Sequence, residues 1–573
     1  MDFVSFRGFS SITTPCLFVN PIDGGIIYPY AKNIIIEDQS GKQKFLRGHK
    51  NTICAIDMSP KGRMIATGEN GRESDIIVWN YKTKQQLYNL SEHDNGITAI
   101  NFSNDERLLA TTANDNRLII WDMASGNMVL HKKIQFANCV KWGGQVPDIK
   151  GRPTLTFYLA TSGPNGVQLH VVDPSGKIDT TNLPQGKYTR DIKAMAFTKT
   201  YLLCGTSSSD VLVFDLHSLT MIKVNHLGKG SVTSIYSAPD GGIIASCRDG
   251  CIFAITEDGS QLLQNIKRPI ASIYDNRLIT EDGSLMGNDG SVLWDSHPHE
   301  VTSISVCNGT AVSSCVDETI KVWNASNLAC NLSFKVNYHS PPHCVGLSPS
   351  LLVIGHENGA IGGYDFTTGE HLFKIEHGHH TCVNVLEVAP TRRFFASGGD
   401  DTTLRLWDVR TRNMMTKFAK HDAPISAICF VDSATHIYSS SIDKSVCLFD
   451  IQTEELLERF TCFESGVRDI CVHDDTLLAA TQDGHIYKLA PSTGTKPVSS
   501  VKTMEANTIS LSPDGEKFAI GHINGDVSVW NTASMKMISS SPVHSSSAAD
   551  IRFVDNSHVM SAGADGGIAL LSV

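Results

Sequence analysis

The 573-residue chain lacks several features that define common classes of protein. It contains no unbroken run of roughly 18 apolar residues, so we expect no membrane-spanning helix. Its first residues show no basic leader followed by an apolar core, so we expect no secretory signal. Charged residues make up only 19% of the chain, whereas hydrophobic residues make up 41%. This composition excludes disorder over most of the length.

Basic residues are also fewer than acidic residues. The chain has 48 Lys and Arg against 59 Asp and Glu, which gives a formal net charge of −11. This balance argues against binding to nucleic acid and to an anionic membrane, because both depend on basic residues. The fifteen cysteines are scattered without paired spacings, which is typical of buried thiols in the reducing cytoplasm. Cys247 and Cys251 have no second pair nearby, so a zinc site is not predicted there.

Signatures of enzymes and cofactor sites are missing as well. The sequence has no Walker loop, dinucleotide-binding glycine motif, EF-hand loop or HExxH motif. The histidines of the segment His377–His380 have no obvious Cys or carboxylate partner in sequence, so no metal is predicted there. We therefore predict no catalytic residue, no metal, no cofactor and no small-molecule substrate, and we expect that the protein is not an enzyme.

What the sequence does contain is internal repetition. Each unit begins with an alternating run such as Ile97–Phe102, which indicates a half-buried strand. A turn such as Ser59–Gly62 follows, then a strand of small and branched residues, a tight turn at Asp, and a strand that closes on Trp or Phe. A fourth strand such as Gln86–Leu90 completes the unit. Four short antiparallel strands per ~40 residues, with GH and WD marks, are typical of a WD-repeat propeller blade.

The number of units predicts the domain organisation. We count about fourteen units of ~41 residues, and one propeller normally holds four to eight blades. The sequence therefore predicts an all-β protein with two seven-bladed WD40-type propellers in tandem, at residues 1–295 and 296–573. The last blade ends in a third strand, GGIALLSV, with no fourth strand after it. Asp2–Gly8 is a candidate for closing one of the two rings, while the insertion Gly143–Pro153 has no predicted place.

The repeats also place a His, a Ser or Thr, an Asp and a Trp at fixed offsets. Three complete sets are His93, Thr111, Asp115 and Trp121; His297, Ser313, Asp317 and Trp323; and His379, Ser397, Asp401 and Trp407. A hydrolase triad is one interpretation, but the sets recur in several blades and no GxSxG elbow surrounds the serines. We expect a hydrogen-bonded chain instead, in which Asp holds His, His meets the hydroxyl, and the hydroxyl meets the indole N–H.

One stretch of the sequence resembles a particular family. It contains Ile27-Tyr28-Pro29, the phrase FLRGH that ends at His49, and the lengthened turn ENGRESDIIVWNYK before the next unit. Together with IGHENGAIGGYDFTTGEHLFKIEHGHH and ASGGDDTTLRLWD in the second half, it is similar to the cilia- and flagella-associated protein 52 family of double propellers. The resemblance covers essentially the whole chain.

The resemblance implies a structural role in motile cilia and flagella. Members look like microtubule inner proteins, which lie in the B-tubule lumen of axonemal doublets and stabilise the lattice. The implied partners are tubulin and other, coiled-coil, microtubule inner proteins, with no nucleic acid and no membrane. The implied location is the cytoskeleton of the cytoplasm, in the axoneme. No motif marks the partner-binding residues, so these are not predicted.

Two other double propellers remain as alternatives. One is a cytoplasmic microtubule-associated protein that resembles the echinoderm-microtubule-associated-protein-like family, although the coiled coil and basic stretch that often precede its propellers are not seen here. The other is an actin-disassembly cofactor that resembles actin-interacting protein 1. A hydrolase built on the His-Ser-Asp sets is the remaining interpretation.

Overall fold

The computed structural model describes residues 2–8, 16–147, 152–173, 175–186, 190–238, 241–256, 259–431 and 434–573. The chain divides into two compact units. We call Phe9–Trp294 the amino-terminal unit, and Met1–Gly8 together with Asp295–Val573 the carboxy-terminal unit.

The described part of the amino-terminal unit contains seven four-stranded antiparallel sheets, each formed by four strands consecutive in sequence. Their strands are β2–β5 (Phe18–Val19, Ile26–Tyr30, Asn33–Glu37, Gln43–Arg47), β6–β9 (Ile53–Met58, Met64–Glu69, Arg72–Asn80, Gln86–Asn95), β10–β13 (Ile97–Phe102, Leu108–Ala113, Arg117–Asp122, Met128–Lys133), β14–β17 (Cys139–Pro147, Pro153–Gly163, Gly166–Val172, Ile178–Leu183), β18–β21 (Ile192–Phe197, Tyr201–Thr206, Asp210–Asp215, Thr220–His226), β22–β25 (Val232–Ser237, Ile243–Cys247, Cys251–Ile255, Ser260–Asn265) and β26–β29 (Ile270–Tyr274, Arg277–Thr280, Leu285–Gly287, Val292–Trp294).

The carboxy-terminal unit, over its described residues, also contains seven such sheets. Their strands are β30–β33 (Val301–Cys307, Thr310–Cys315, Thr319–Asn324, Cys330–Lys335), β34–β37 (Pro342–Ser348, Leu351–His356, Ile361–Tyr364, His371–Ile375), β38–β41 (Val383–Val388, Phe394–Gly399, Leu404–Asp408, Met414–Phe418), β42–β45 (Ile425–Val431, His436–Ser441, Ser445–Asp450, Leu456–Phe460), β46–β49 (Val467–His473, Thr476–Thr481, His485–Leu489, Ser499–Lys502), β50–β53 (Ala506–Leu511, Lys517–His522, Asp526–Asn531, Lys536–Pro542), and β54–β56 (Ala548–Asp555, His558–Gly563, Ile568–Ser572) with β1 (Asp2–Arg7). A short 3₁₀ helix, Pro491–Thr493, precedes β49.

The predicted all-β, WD-type propeller fold is confirmed. Within the described ranges there is no helix long and apolar enough to cross a membrane. The strands follow the burial pattern that the sequence indicates. The second strand of a sheet, such as β11, is buried at every position because both of its faces pack on neighbouring sheets. The fourth strand, such as β33, alternates between partly buried and exposed positions because one face meets solvent.

The sheets of each unit pack side by side in sequence order and form a closed ring. In the carboxy-terminal unit, β30 of the first sheet packs against β54 of the last. In the amino-terminal unit, aromatic pairs join the first and last sheets: the ring centroids of Phe18 and Tyr274 lie 5.4 Å apart, and those of Tyr28 and Trp294 lie 5.5 Å apart. Closure leaves no open face at the ends of the row of sheets.

The first strands lie at the centre of each ring, and among the described strands none pairs with their inner edges. Side chains from the preceding sheet supply part of the missing hydrogen bonding, in an arrangement that we call the inner-strand clasp. In the donor half of the clasp, a side chain near the start of one first strand bonds to a carbonyl oxygen at the start of the next. The bonds are Cys54 to Ile97, Thr98 to Ala137, Thr302 to Pro342, Asn384 to Ile425, Ser426 to Val467 and Asn507 to Ala548.

In the acceptor half of the clasp, a side-chain oxygen accepts a backbone N–H from the next first strand. The acceptor and donor pairs are Asp57 and Phe102, Asn101 and Trp142, Ser305 and Leu347, Glu387 and Phe430, Asp469 and Ile509, Ser510 and Phe553, and Asp550 and Ile304. The last pair, at 2.9 Å, joins the seventh sheet to the first and so spans the ring closure. A buried N–H without a partner costs free energy, and the clasp removes that cost.

The amino terminus belongs to the carboxy-terminal unit. β1 pairs antiparallel with β56, and Phe3 lies opposite Leu571. It thereby supplies the fourth strand that the sequence of the last blade lacks. The predicted division at residues 1–295 and 296–573 differs from this arrangement by one residue at the boundary, Asp295, and in its first eight residues, because strand pairing connects them to the other end of the chain.

The insertion Gly143–Pro153 lengthens one hairpin. β14 runs to Pro147 and β15 begins at Pro153, so the insertion continues the ladder of these two strands. Residues 148–151, at the tip, lie outside the described residues.

We expect that β1 contributes to the stability of the carboxy-terminal unit. Phe6 is 1% exposed, whereas Val4 in the same strand is 41% exposed. Truncating a buried Phe to Ala typically costs about 3–5 kcal/mol. Phe6→Ala is therefore expected to lower the free energy of unfolding of this unit by about that amount and to increase amide exchange in β55 and β56. Urea denaturation and hydrogen-exchange mass spectrometry measure both effects. Val4→Ala is the control, and equal effects of the two variants would contradict the assignment.

Candidate functional site

The His, Ser or Thr, Asp and Trp side chains of the repeats meet inside single blades. For the sheet β10–β13, His93 comes from β9, the last strand of the preceding sheet, while Thr111 lies in the second strand, Asp115 in the following turn and Trp121 in the third strand. His93 Nδ1 lies 2.9 Å from an Asp115 carboxylate oxygen, and His93 Nε2 lies 2.9 Å from the Thr111 hydroxyl. The Trp121 indole N–H donates to the same hydroxyl at 3.0 Å. The structure thus brings this predicted set together.

The set in β38–β41 has the same geometry. His379 Nδ1 lies 2.8 Å from Asp401, His379 Nε2 lies 2.7 Å from the Ser397 hydroxyl, and Trp407 donates to that hydroxyl at 2.8 Å. Ser397 is 0% exposed. A nucleophile must reach a substrate carbonyl, and this hydroxyl is enclosed by the imidazole and the indole. The arrangement suits a structural network, and that role stays a prediction for all three sets.

The third predicted set is only partly assembled as expected. His297 Nε2 lies 2.6 Å from Ser313, and Trp323 donates to Ser313 at 2.7 Å. Asp317, however, does not hold His297. Its carboxylate accepts hydrogen bonds from the backbone and the hydroxyl of Thr319, and the Thr319 hydroxyl lies 3.3 Å from His297 Nδ1. The predicted direct contact between Asp317 and His297 is therefore wrong, because the threonine hydroxyl lies between them.

Further networks use variations that the sequence marks less clearly. The sheet β6–β9 uses Glu69, the last residue of β7, instead of a turn Asp, and this carboxylate lies 3.2 Å from His49 Nδ1. The sheet β42–β45 joins His421, Ser439 and Asp443 but has Phe449 in place of Trp. The last sheet joins His544, Ser561 and Asp565. The spacing from His to hydroxyl residue, 17 or 18 positions, is the signal that finds all three.

Burial and the neighbouring charges determine the ionisation of these groups. Against the effect of burial, the hydrogen bonds from His379 and Thr403 hold the pKa of Asp401 well below its usual range. Burial lowers the pKa of His379, although Asp401 opposes this change. The Arg405 guanidinium, 2.8 Å from Asp401, further disfavours the imidazolium. The network therefore combines a neutral imidazole with a charged carboxylate.

His421 differs from His379 in its ionisation. Burial again opposes its charge, but Asp443 at 2.9 Å and the adjacent Cys447 raise the pKa of His421 to about 9. Cys447 occupies the position that Arg405 has in the neighbouring sheet, so no guanidinium enters the network from the third strand. His421 is therefore the histidine that we expect to carry a proton at neutral pH.

One group of potential metal ligands occurs among the described residues. His297, Cys315 and Asp317 place one ligand atom each within 4.8 Å of one another. The sequence interpretation missed this group because Cys315 lies in a buried strand and resembles the other scattered thiols. All fifteen cysteines are free thiols, and none is classed as exposed. In the segment His377–His380, the imidazole of His379 belongs to its blade network, and the backbone N–H of His380 donates to Asp401 in the same network.

The repeats found by comparison with known protein families agree with the sheets of the structure. The WD domain, G-beta repeat family matches residues 41–80, 84–122, 218–254, 369–408 and 412–450. Each match begins at or next to the fourth strand of one sheet and continues into the next sheet. The first, for example, contains β5 to β8. The chain contains WD repeats and has the β-propeller fold.

Similarity to particular proteins extends along the whole chain. Cilia- and flagella-associated protein 52 of Chlamydomonas reinhardtii is 24% identical, over 98% of this chain and 96% of that protein. The Homo sapiens protein of the same name is 22% identical, over 98% and 95%. WD repeat-containing protein 90 of Mus musculus is 21% identical, but the match covers 71% of this chain and 24% of that protein. The predicted resemblance to cilia- and flagella-associated protein 52 is confirmed.

We expect Ser397→Ala to destabilise the protein. The change leaves the Nε2 of His379 and the indole N–H of Trp407 without their shared partner, which costs about 1–3 kcal/mol. Ser333→Ala is the control, because Ser333 is exposed in the fourth strand of another sheet. Chemical denaturation measures the difference. If Ser397→Ala instead leaves stability unchanged and abolishes hydrolysis of an ester substrate, the network is catalytic.

The raised pKa of His421 predicts a pH dependence. Because the folded value of about 9 exceeds the unfolded value of ~6.5, the stabilisation from protonated His421 is complete below ~6.5 and is lost as pH rises through ~9. The difference in unfolding free energy between the wild type and His421→Gln is expected to shrink by up to about 3 kcal/mol between pH ~6 and ~10. His379→Gln is the comparison, because a lowered pKa makes that group lose stabilisation only below ~6.5. Equal pH profiles for the two variants would contradict the assignment.

Proposed function

We propose that this chain is a non-enzymatic structural protein of motile cilia and flagella. In this role it is a microtubule inner protein, which binds in the B-tubule lumen of axonemal doublets and stabilises their wall. Its partners are tubulin and the coiled-coil inner proteins of the same lumen. It acts in the cytoplasmic cytoskeleton of the axoneme and needs no cofactor.

The observation that carries the proposal is the extent of the similarity. Matches that cover 98% of this chain and about as much of the relatives include both units and the order of the repeats. WD repeats alone are shared by proteins of many functions, so the fold by itself would not suggest cilia. The relatives' names refer to cilia and flagella, and the likeness extends that association to this chain.

The surface of the rings supports a role in binding other proteins. Large apolar side chains are exposed on the fourth strands, at the outer edge of the sheets. They are Leu87, Met128, Ile222, Leu262, Leu263, Val292 and Leu293 in the amino-terminal unit, and Leu372, Met414, Met415, Leu457, Met537 and Ile538 in the carboxy-terminal unit. Exposed apolar side chains that lie together mark interaction sites more often than singly scattered ones. A fourth strand also has a free edge that can pair with a partner.

The acidic character of the chain is compatible with a crowded lattice. A net charge of −11 does not favour docking on acidic tubulin through long-range attraction. A protein held by several neighbours at fixed spacing instead gains avidity from many modest contacts. Apolar edges on both units provide such contacts.

The direct test follows the tagged full-length chain in a flagellated cell. We expect it in detergent-extracted axonemes, and we expect it to remain on the doublets after salt extraction of the outer components. Recovery in the cytoplasm with pelleting on microtubules of pure tubulin would favour a cytoplasmic microtubule-associated protein. Cosedimentation with cofilin-decorated actin would favour an actin-disassembly cofactor. Either of these results without axonemal retention would overturn the proposal.

Variants of the exposed apolar residues on the fourth strands test whether these surfaces bind the doublet. Leu262→Glu with Leu263→Glu changes one edge, and Met414→Glu with Met415→Glu changes another; all four side chains are exposed, so folding should persist. Gln261→Glu, an exposed neighbour in β25, adds charge without removing apolar surface. We expect at least one double variant, but not the control, to reduce retention on doublets. Full retention of both double variants would exclude these edges as contacts.

A further inference from the structure

The first sheet of the carboxy-terminal unit has an unusual histidine network. In the networks of His49, His93, His379, His421 and His544, the Nδ1 atom lies 2.8–3.2 Å from a carboxylate oxygen. His297 Nδ1 has the Thr319 hydroxyl at 3.3 Å instead. This sheet therefore leaves the imidazole nitrogen with a weak contact where the others have a strong one.

The residue beside this nitrogen is also exceptional. Two positions after the hydroxyl residue, the networks of His93, His379, His421 and His544 have small side chains or none: Ala113, Gly399, Ser441 and Gly563. The network of His49 has its carboxylate, Glu69, at this position. The first sheet has Cys315, which is 0% exposed. A thiol thus lies beside a network histidine that has no carboxylate partner.

The charge around Asp317 differs as well. The turn aspartates Asp115, Asp401 and Asp443 each pair with an arginine, at 2.8–3.2 Å. Over the described part of the chain, no lysine or arginine lies within 4.0 Å of Asp317. Lys321, the nearby cation, bonds to the Ser296 carbonyl at 2.6 Å and to Asp295 at 2.9 Å. Asp317 therefore has no basic side chain to balance its negative charge.

The three side chains are close enough to share one ion. Their ligand atoms lie within 4.8 Å of one another. A tetrahedral zinc ion with bonds of about 2.0–2.3 Å requires separations of about 3.3–3.8 Å. Adjustments of about 1 Å in the Cys315 and Asp317 side chains are enough to reach that geometry.

The surrounding hydrogen bonds orient the ligands. His297 Nε2 is held by Ser313 at 2.6 Å, and Trp323 in turn donates to Ser313. Fixing one imidazole nitrogen in this way directs the other at a metal. The backbone N–H of Thr319 holds the Asp317 carboxylate at 3.0 Å. The ring of His297 is 3% exposed, so an ion here would be largely shielded from solvent.

We propose that His297 Nδ1, Cys315 Sγ and the Asp317 carboxylate form a binding site for a divalent transition-metal ion, with zinc the best fit. A nitrogen, a sulfur and an oxygen donor suit zinc, whereas magnesium and calcium prefer oxygen ligands alone. Binding replaces the thiol proton of Cys315, which is released to solvent, and a water or the Thr319 hydroxyl completes the coordination. The ion joins the segment before β30 to the turn between β31 and β32, and so stabilises the start of the ring.

Cobalt provides the probe, because a thiolate bound to Co²⁺ gives a strong charge-transfer absorption in the near ultraviolet. The full-length chain, reduced and freed of metal, is titrated with Co²⁺ and then with Zn²⁺. We expect one thiolate-bound Co²⁺ per chain that Zn²⁺ displaces. Cys315→Ser should abolish that absorption and weaken binding at least tenfold, and Asp317→Asn should weaken binding while keeping the absorption.

The matched control is Cys447→Ser. Cys447 is another buried thiol beside a network histidine, but there Asp443 already occupies Nδ1 of His421 at 2.9 Å. This variant should bind Co²⁺ as the wild type does. Zn²⁺ should raise the melting temperature of the wild type and of Cys447→Ser, but not that of Cys315→Ser.

The wild type alone can overturn the proposal. If it shows no thiolate-to-cobalt absorption, the thiol only donates a hydrogen bond to Asp317 and the site does not bind metal. The same conclusion follows if the absorption persists unchanged in Cys315→Ser, because another cysteine is then the ligand. Circular dichroism of each variant verifies that loss of binding is not loss of folding.

Discussion

The inner edge of each central strand imposes the constraint on which both rings depend. Its backbone N–H and C=O groups face the middle of the ring, where no further strand can pair with them. The inner-strand clasp meets this need with one polar side chain near the start of the strand and another near its end. Every such bond runs from one sheet to the next along the ring, and Asp550 continues the series across the closure. Side-chain hydrogen bonds therefore connect the sheets where backbone pairing cannot.

The histidine networks stabilise the blades in which they occur. A buried chain of hydrogen bonds connects the segment before the first strand and the turn after the second strand to the second and third strands. Because every member must be satisfied, one substitution changes the electrostatics of the whole set. Burial, with a smaller effect of Arg405, lowers the pKa of His379, whereas the hydrogen bond to Asp443, with Cys447, raises the pKa of His421 against the effect of burial. At His297, the Thr319 hydroxyl contacts Nδ1 where other networks have a carboxylate, and this difference is the basis of the proposed metal site.

The repeats were predictable from sequence because strand alternation, turn residues and the His-to-Trp spacing are local. The networks of His93 and His379 could be predicted for the same reason. The sequence also indicated that Asp2–Gly8 could close a ring. Which ring it closes could not be predicted, since the pairing of β1 with β56 joins residues more than 560 positions apart. The position of Asp317 also escaped prediction, because the choice between His297 and Thr319 depends on side-chain conformation. The clasp uses Cys, Ser, Thr, Asn, Asp and Glu interchangeably, so no motif marks it.

The proposed role inside a microtubule would need rigidity and several binding edges, and two closed rings offer both. The most direct test is electron cryomicroscopy of doublet microtubules from flagellated cells that contain or lack this chain. The account predicts density for two seven-bladed rings in the B-tubule lumen, present in the first sample and missing from the second. Identical lumens in the two samples, or density for rings only outside the tubule wall, would contradict it.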